Sequence, residues 1–236
     1  MNATISSLFL TQDTCSWKYP GWRDIVYIEQ RYLTRGKFSE AKFNRECLAE
    51  YAETFHTVCV DAGYYQYPSE KWIGELCAQV PERFKFAFKV TDDITLKHFP
   101  NLPRFGGRAG MPNEHFLSAE MFKRLFLSPL EPYQSKIGPL IFEFSTFRKA
   151  DYEHGRQFAE ALDDFLGELP TGWDYAVEIR NKAWLQPEYL EVLRRHRVAH
   201  TLNHWTRMPT ISEQLEVEGV ETADFSVARF ISVLSD

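Results

Sequence analysis

Seven polar residues fall late in stretches that otherwise read as apolar strands: Asp61, Lys89, Glu143, Glu178, Arg180, Asn203 and Arg229. Side chains alternate across a strand, so in each stretch two faces can be separated. Val58 and Val60 share one face, Cys59 and Asp61 the other. Phe84, Phe86 and Phe88 oppose Lys85, Ala87 and Lys89. Leu140, Phe142 and Phe144 oppose Ile141 and Glu143, and Tyr175, Val177 and Ile179 oppose Ala176, Glu178 and Arg180. Ala199, Thr201 and Asn203 line one face of a further stretch. One face is bulky, as packing against helices requires. The other is small and then becomes polar near the C-terminal end of the strand, which is the pattern of a barrel interior with a site at its C-terminal mouth.

The chemistry such a set could do is acid–base work on a polar or anionic ligand. Glu178 and Glu143 are the acid/base candidates. Lys89, Arg180 and Arg229 would hold an anion, guanidinium forks matching carboxylate and phosphate especially well. Asn203 and Asp61 would orient the ligand, and Asn181 and Trp184 complete the densest cluster, next to Arg180. A second reading uses the same charges without a ligand: three cations neutralising three anions in a closed network. Isolated buried pairs add little stability because desolvation offsets their attraction, so six charges aimed at one mouth favour a site. Glu143 and Glu178 could also form a paired-carboxylate glycosidase site, with Trp17, Trp22 and Trp205 stacking on a sugar.

Other chemistries find less support. His98, His200 and His204 make no HExxH or comparable ligand spacing, and no metal is expected. No glycine-rich dinucleotide turn or phosphate loop is present, so the common nucleotide-binding open sheets lose support, and the sequence assigns no particular cofactor. Arg104, Arg108 and Arg207 lie in loops, where a solvated basic face is the simpler reading for the first two. The formal net charge of −6 counts against a non-specific grip on nucleic acid, which relies on neutralising phosphates. A local Arg- and Trp-rich cleft keeps nucleic acid as the runner-up partner after a small polar or anionic ligand. Cys15, Cys47, Cys59 and Cys77 form no CxxC pair and read as reduced thiols of a cytoplasmic protein. No stretch approaches the ~20 apolar residues of a membrane helix.

The elements that must position these residues alternate along the chain. Strands are expected at 5–14, 57–62, 84–90, 140–144, 175–180, 198–203 and 225–233, rich in Val, Ile, Phe and Tyr. Helices are expected at 44–55, 70–79, 119–127, 156–166, 187–196 and 211–216. Ser69 is placed to cap the second of these, and Pro187 suits the first turn of the fifth. Repeated β-then-α order implies a parallel sheet covered by helices, and 236 residues suit one α/β barrel of ~250 residues. The loop 92–113, with three prolines and three glycines, follows a strand and is a candidate active-site loop.

At these same positions the chain resembles the YecE-like family, domain of unknown function 72. The matching segments are TCSWKYPGW (14–22), LAEYAETFHTVCVDAGYYQYP (48–68), FKFAFKVTDDIT (84–95), KIGPLIFEFSTF (136–147), YAVEIRNKAWL (175–185) and VAHTLNHWTRMP (198–209). The resemblance implies a barrel of the triosephosphate-isomerase type, one domain over residues 1–236, and no established reaction. The chain departs from the family pattern at Asp13, where Gly is usual, and at Cys59, where Glu is usual. It also ends soon after the seventh expected strand, where the resemblance implies a further helix and strand. The expectation is therefore an incomplete barrel of about seven strands. Its leading function is an enzyme for a small polar or anionic substrate. The alternatives are a nucleic-acid-binding or nucleic-acid-processing barrel and an inactive remnant.

Overall fold

The computed structural model describes residues 16–230. Its centre is a six-stranded parallel sheet in the order β3 (Thr57–Val60), β4 (Lys85–Lys89), β5 (Ile137–Glu143), β6 (Tyr175–Glu178), β7 (Ala199–Asn203) and β8 (Val227–Arg229). Ahead of it, a two-stranded antiparallel hairpin pairs β1 (Leu33–Thr34) with β2 (Lys37–Phe38). The expected strand at 5–14 and residues 231–233 of the last expected strand lie outside the described residues.

Helices connect consecutive strands. They are α1 (Glu40–Thr54), α2 (Ala62–Tyr65), α3 (Glu70–Cys77), α4 (Asp92–Thr95), α5 (Ala119–Met121), α6 (Gly155–Gly167), α7 (Pro187–Arg195) and α8 (Ile211–Leu215). Local chemistry sets their starts. Ser39, Ser69 and Ser118 accept hydrogen bonds from the backbone N–H groups of Lys42, Trp72 and Met121, satisfying donors that the first helical turn leaves free. Thr210 and Glu213 form a reciprocal capping box before α8. The cap at Ser39 starts α1 four residues ahead of the expected position. The strand expected at 140–144 instead begins at Ile137, which pairs with Phe86, while Gly138 and Pro139 fall at a register shift before pairing resumes at Leu140.

The alternation read from the sequence sorts the sheet's two faces. Val58, Val60, Phe86, Phe88, Leu140, Phe142, Phe144, Tyr175 and Val177 pack into the outer core beneath the helices. Cys59, Ala87, Ile141, Ala176 and Ala199 form a second, small-residue cluster on the inner face. The sheet curls around that inner face. Neighbouring strands lie about 4.8 Å apart, so β5 and β8 would be ~14 Å apart in a flat sheet. Arg229 on β8 nevertheless reaches the Glu143 carboxylate on β5 at 2.6 Å. The result is a half-barrel.

The loops after β5 and β6 are clamped to each other at the strand C-terminal ends. The Phe147 N–H donates to Asn181 Oδ1 at 2.9 Å, and Asn181 Nδ2 donates back to the Phe147 carbonyl at 3.1 Å. Trp184 stacks on both Phe147 and Phe158, with ring centroids 5.2 and 5.3 Å away. Gly155, at the start of α6, lets Trp184 approach: a Cβ there would stand 2.7 Å from Trp184 Cδ1 and 2.8 Å from Cγ. Gly155→Ala is therefore an overpacking change, and urea melts should show a loss of about 1–3 kcal/mol. A variant as stable as the parent would mean that the aromatic stack yields freely and does not fix the loops.

Candidate functional site

The strand ends bring the expected charges together. Glu143 closes β5, Glu178 closes β6, and Lys89 closes β4. Asp61 follows β3 directly, Arg180 lies two residues beyond β6, and Arg229 ends β8. Glu143 Oε2 receives three cations: Arg229 Nη1 at 2.6 Å, Lys89 Nζ at 2.8 Å and Arg180 Nη2 at 2.9 Å. Glu178 takes Arg180 Nε on Oε1 at 3.2 Å and Arg229 Nη1 on Oε2. Both glutamates are buried, Glu178 completely. Small residues beneath them, Ala87, Ala176 and Ala199, leave the interior open to long side chains.

Asp61 stands apart from this closed set. Its carboxylate lies 3.9 Å from Lys89 Nζ, beyond hydrogen-bond distance, and its Oδ1 has no hydrogen-bond partner. Its side chain is 36% exposed, against 4% for Glu143, so the mouth is most accessible at Asp61.

Electrostatics separate the two acids. Burial pushes the Glu143 carboxyl up, but Lys89, Arg180 and Arg229 together outweigh it and hold the pKa below the ordinary value. Burial also pushes Asp61 up, and there the more distant Lys89 and Arg229 fail to cancel it. Burial alone would lower the Arg229 pKa, but Glu178 and Glu143 raise it. A carboxylate held by three cations is a weak base and keeps no proton near neutrality. Asp61, with a raised pKa and an unoccupied oxygen, is the better placed of the two to exchange one.

The remaining expected residues divide. Asn203 is fully buried and spends its side chain on backbone: Nδ2 donates to the carbonyls of Ile179 (3.2 Å) and Thr201 (3.4 Å), and Oδ1 accepts from the Trp205 N–H. Asn181 is likewise consumed in its pairing with Phe147. Trp205 is at the mouth, with the Arg180 guanidinium 4.2 Å from its ring centroid. Trp17 and Trp22 are not brought there. Trp22 packs on Phe55, just before β3 begins, which puts it at the opposite end of the strands, roughly 20 Å from Asp61 at ~3.3 Å per residue. Trp17 is buried in the outer core, and its carbonyl accepts from the Tyr27 hydroxyl. Aromatic type alone carried their nomination, and it says nothing about which end of a strand a ring occupies.

Sequence reasoning missed Tyr64. Its ring lies 4.2 Å from Lys89 Nζ, and burial pushes its hydroxyl up to about 12. The signal was available in the Gly63–Tyr64 step directly after Asp61: a Cβ at Gly63 would stand 2.9 Å from the Lys89 carbonyl, so glycine lets this turn press against β4. The loop arginines are neutralised locally, Arg104 by Asp92 at 2.6 Å and Arg108 by Asp93 at 3.1 Å. Among the described residues no group of three or more His, Cys, Asp or Glu is arranged to hold a metal ion. No helix among them is long and apolar enough to cross a membrane.

A family model described as a protein of unknown function, DUF72, matches residues 12–234. No curated protein matches. Among solved structures, a DUF72 family protein from Thermotoga maritima is similar at 19% identity with a TM-score of 0.57, covering 92% of this chain and 72% of its own. A DUF72 family protein from Enterococcus faecalis is similar at 21% identity with a TM-score of 0.53, covering 86% of this chain and 68% of its own. At these identities the likeness carries the fold alone.

The two acids give opposite pH dependences. Glu143 binds its proton less readily folded than unfolded. Its stabilisation is complete above the ordinary Glu range, about 4.3, and is lost as pH falls through the depressed value. Asp61 binds its proton more readily when folded, so its contribution falls as pH rises from the ordinary Asp range, about 3.9, through the raised value. Asp61→Asn should therefore melt higher than the parent at neutral pH, with the gain shrinking in acid. Arg229→Met, which strips one cation from both glutamates, should lose about 3–5 kcal/mol at neutral pH. An Asp61→Asn variant that melts lower than the parent at neutral pH would contradict this assignment.

Proposed function

The chain belongs to the DUF72 family, whose description assigns no activity, and we propose that its strand-end mouth is an enzyme site where Asp61, positioned beside Lys89, exchanges a proton with a small polar substrate. The observation that carries this reading is the contrast within one mouth. Glu143 and Glu178 are fully engaged with cations, while Asp61 is partly open, unbonded at Oδ1 and raised in pKa. Carboxylates whose environments push their pKa values apart are how one site assigns separate roles to similar groups. The glutamates would orient Lys89, Arg180 and Arg229, and the proton-transfer role first given to them passes to Asp61. Trp205 and Tyr64 would supply the aromatic rim.

The incomplete triosephosphate-isomerase-type barrel of about seven strands belongs to the same proposal, supported by the curl of the sheet. So does a cytoplasmic setting, supported by the reduced-thiol reading of Cys47 and Cys77, both buried. Burial pushes the Cys47 thiol up to about 12 and raises Cys77 as well. The nucleic-acid reading loses its loop arginines to Asp92 and Asp93 and gains no observation in return.

The test is a thermal-shift screen with hydroxy acids, sugars and sugar phosphates. A ligand present at about 100 times its Kd adds about 2.7 kcal/mol, which in a chain of this size raises the melting temperature by about 5–10 °C. At least one compound should do so for the parent and fail to do so for Lys89→Met, while the exposed-surface variant Arg156→Ala responds like the parent. If nothing shifts the parent, or if Lys89→Met responds equally, the mouth is not a ligand site.

A further inference from the structure

We propose that the ligand of this mouth is a neutral, hydroxyl-bearing molecule of the polyol or monosaccharide class, and not an anion. The inference rests on the reading of the mouth as a ligand site and narrows what that site accepts.

The cations argue first. Lys89, Arg180 and Arg229 each already meet a carboxylate within 3.2 Å. Three carboxylates, Asp61, Glu143 and Glu178, balance the three cations. An anionic ligand would add a fourth negative charge to a cluster whose three cations are already balanced, beside the buried carboxylates Glu143 and Glu178, a costly addition.

The unsatisfied groups argue second. Of seven buried side-chain polar atoms without a hydrogen-bond partner among the described residues, four belong to this mouth: Asp61 Oδ1, Thr201 Oγ1, Trp205 Nε1 and Arg229 Nε. Buried polar groups are ordinarily paired, and each exception calls for a reason. The four form a mixed set. Asp61 Oδ1 accepts, Trp205 Nε1 and Arg229 Nε donate, and the Thr201 hydroxyl does both. An ionised carboxylate could answer only the donors. Alcohol hydroxyls donate and accept, and a ligand carrying several of them answers all four.

Placement argues third. Thr201 is fully buried and shares the inward face of β7 with Ala199 and Asn203. The β6–β7 register, Ala176↔Ala199 and Val177↔His200, brings it next to Glu178. Ala87, Ala176 and Ala199 form the floor, and Tyr64 and Trp205 offer ring surface to the C–H faces of such a ligand. Entry is on the Asp61 side, the most exposed part of the cluster.

The experiment is saturation-transfer NMR and calorimetry on the full chain with erythritol, myo-inositol and glucose as neutral probes, against inorganic phosphate and glycerol 3-phosphate as anions. The key variant is Thr201→Val, which keeps the shape and removes an unpaired hydroxyl. It should be at least as stable as the parent, so lost binding cannot be blamed on unfolding. Trp205→Phe, which keeps a ring and removes the N–H, is the second variant. The expected result is that a neutral probe binds the parent and weakens about tenfold in each variant, the scale of one lost hydrogen bond. Binding of the anions alone, weakened by Lys89→Met, would overturn the neutral class and leave the site reading standing. Binding by neither class would overturn both.

Discussion

The geometry of the molecule turns on one oxygen atom. Glu143 Oε2 receives Lys89 from the adjacent β4, Arg180 from just beyond the adjacent β6, and Arg229 from β8, three strands away. On a flat sheet these side chains could not converge. The inner face can curl because Cys59, Ala87, Ala176 and Ala199 are small, and the outer face keeps its bulk for the helices. The alternation that separates small from large is therefore also what lets the charges meet. Removing any of these charges from water is costly, and their mutual attraction repays the cost only where the geometry is close and every partner is present.

Around that cluster the rest of the mouth is scaffold. Asn181 and Phe147 lock the β5 and β6 loops, Trp184 wedges against α6 over Gly155, and Asn203 fixes Trp205. Asp92 and Asp93 hold the irregular loop after β4 through Arg104 and Arg108, with Tyr67 and His115 also on Asp93. Asp61 is the acid this scaffold leaves partly free. That division between a rigid, satisfied set and one loosely held carboxylate supports a site more than a brace, since a brace would have drawn Asp61 within hydrogen-bond distance of Lys89.

Much of this was legible in the sequence, for reasons that also explain what was not. A period of two is enough to assign Glu143, Glu178, Lys89 and Asn203 to the inward face, and late position in parallel strands sends them to one end. Ser69 and Pro187 announced their helices correctly. Trp17 and Trp22 were misplaced because ring chemistry carries no information about position along a strand. The start of β5 was hidden by Gly138 and Pro139, residues that weaken a strand signal without forbidding the strand. The engagement of Arg104 and Arg108 was invisible because their partners lie twelve and fifteen residues back, across a loop with no periodicity to read. Likewise, nothing in the residue pattern distinguishes an Asn203 that satisfies backbone from one that meets a ligand, since only its burial and its partners decide that.

The central claim is that Glu143 ties opposite parts of the curled sheet together through a shared oxygen, and a double-mutant cycle on Lys89 and Arg229 tests it most directly. The two residues stand on β4 and β8, ~19 Å apart in a flat sheet, and both donate to Glu143 Oε2. If both act on Glu143, the stability losses of Lys89→Met and Arg229→Met must be non-additive, with a coupling energy of about 0.5–3 kcal/mol that disappears when the cycle is repeated in Glu143→Gln. Losses that add to within about 0.3–0.5 kcal/mol, as for distant independent sites, would contradict the account.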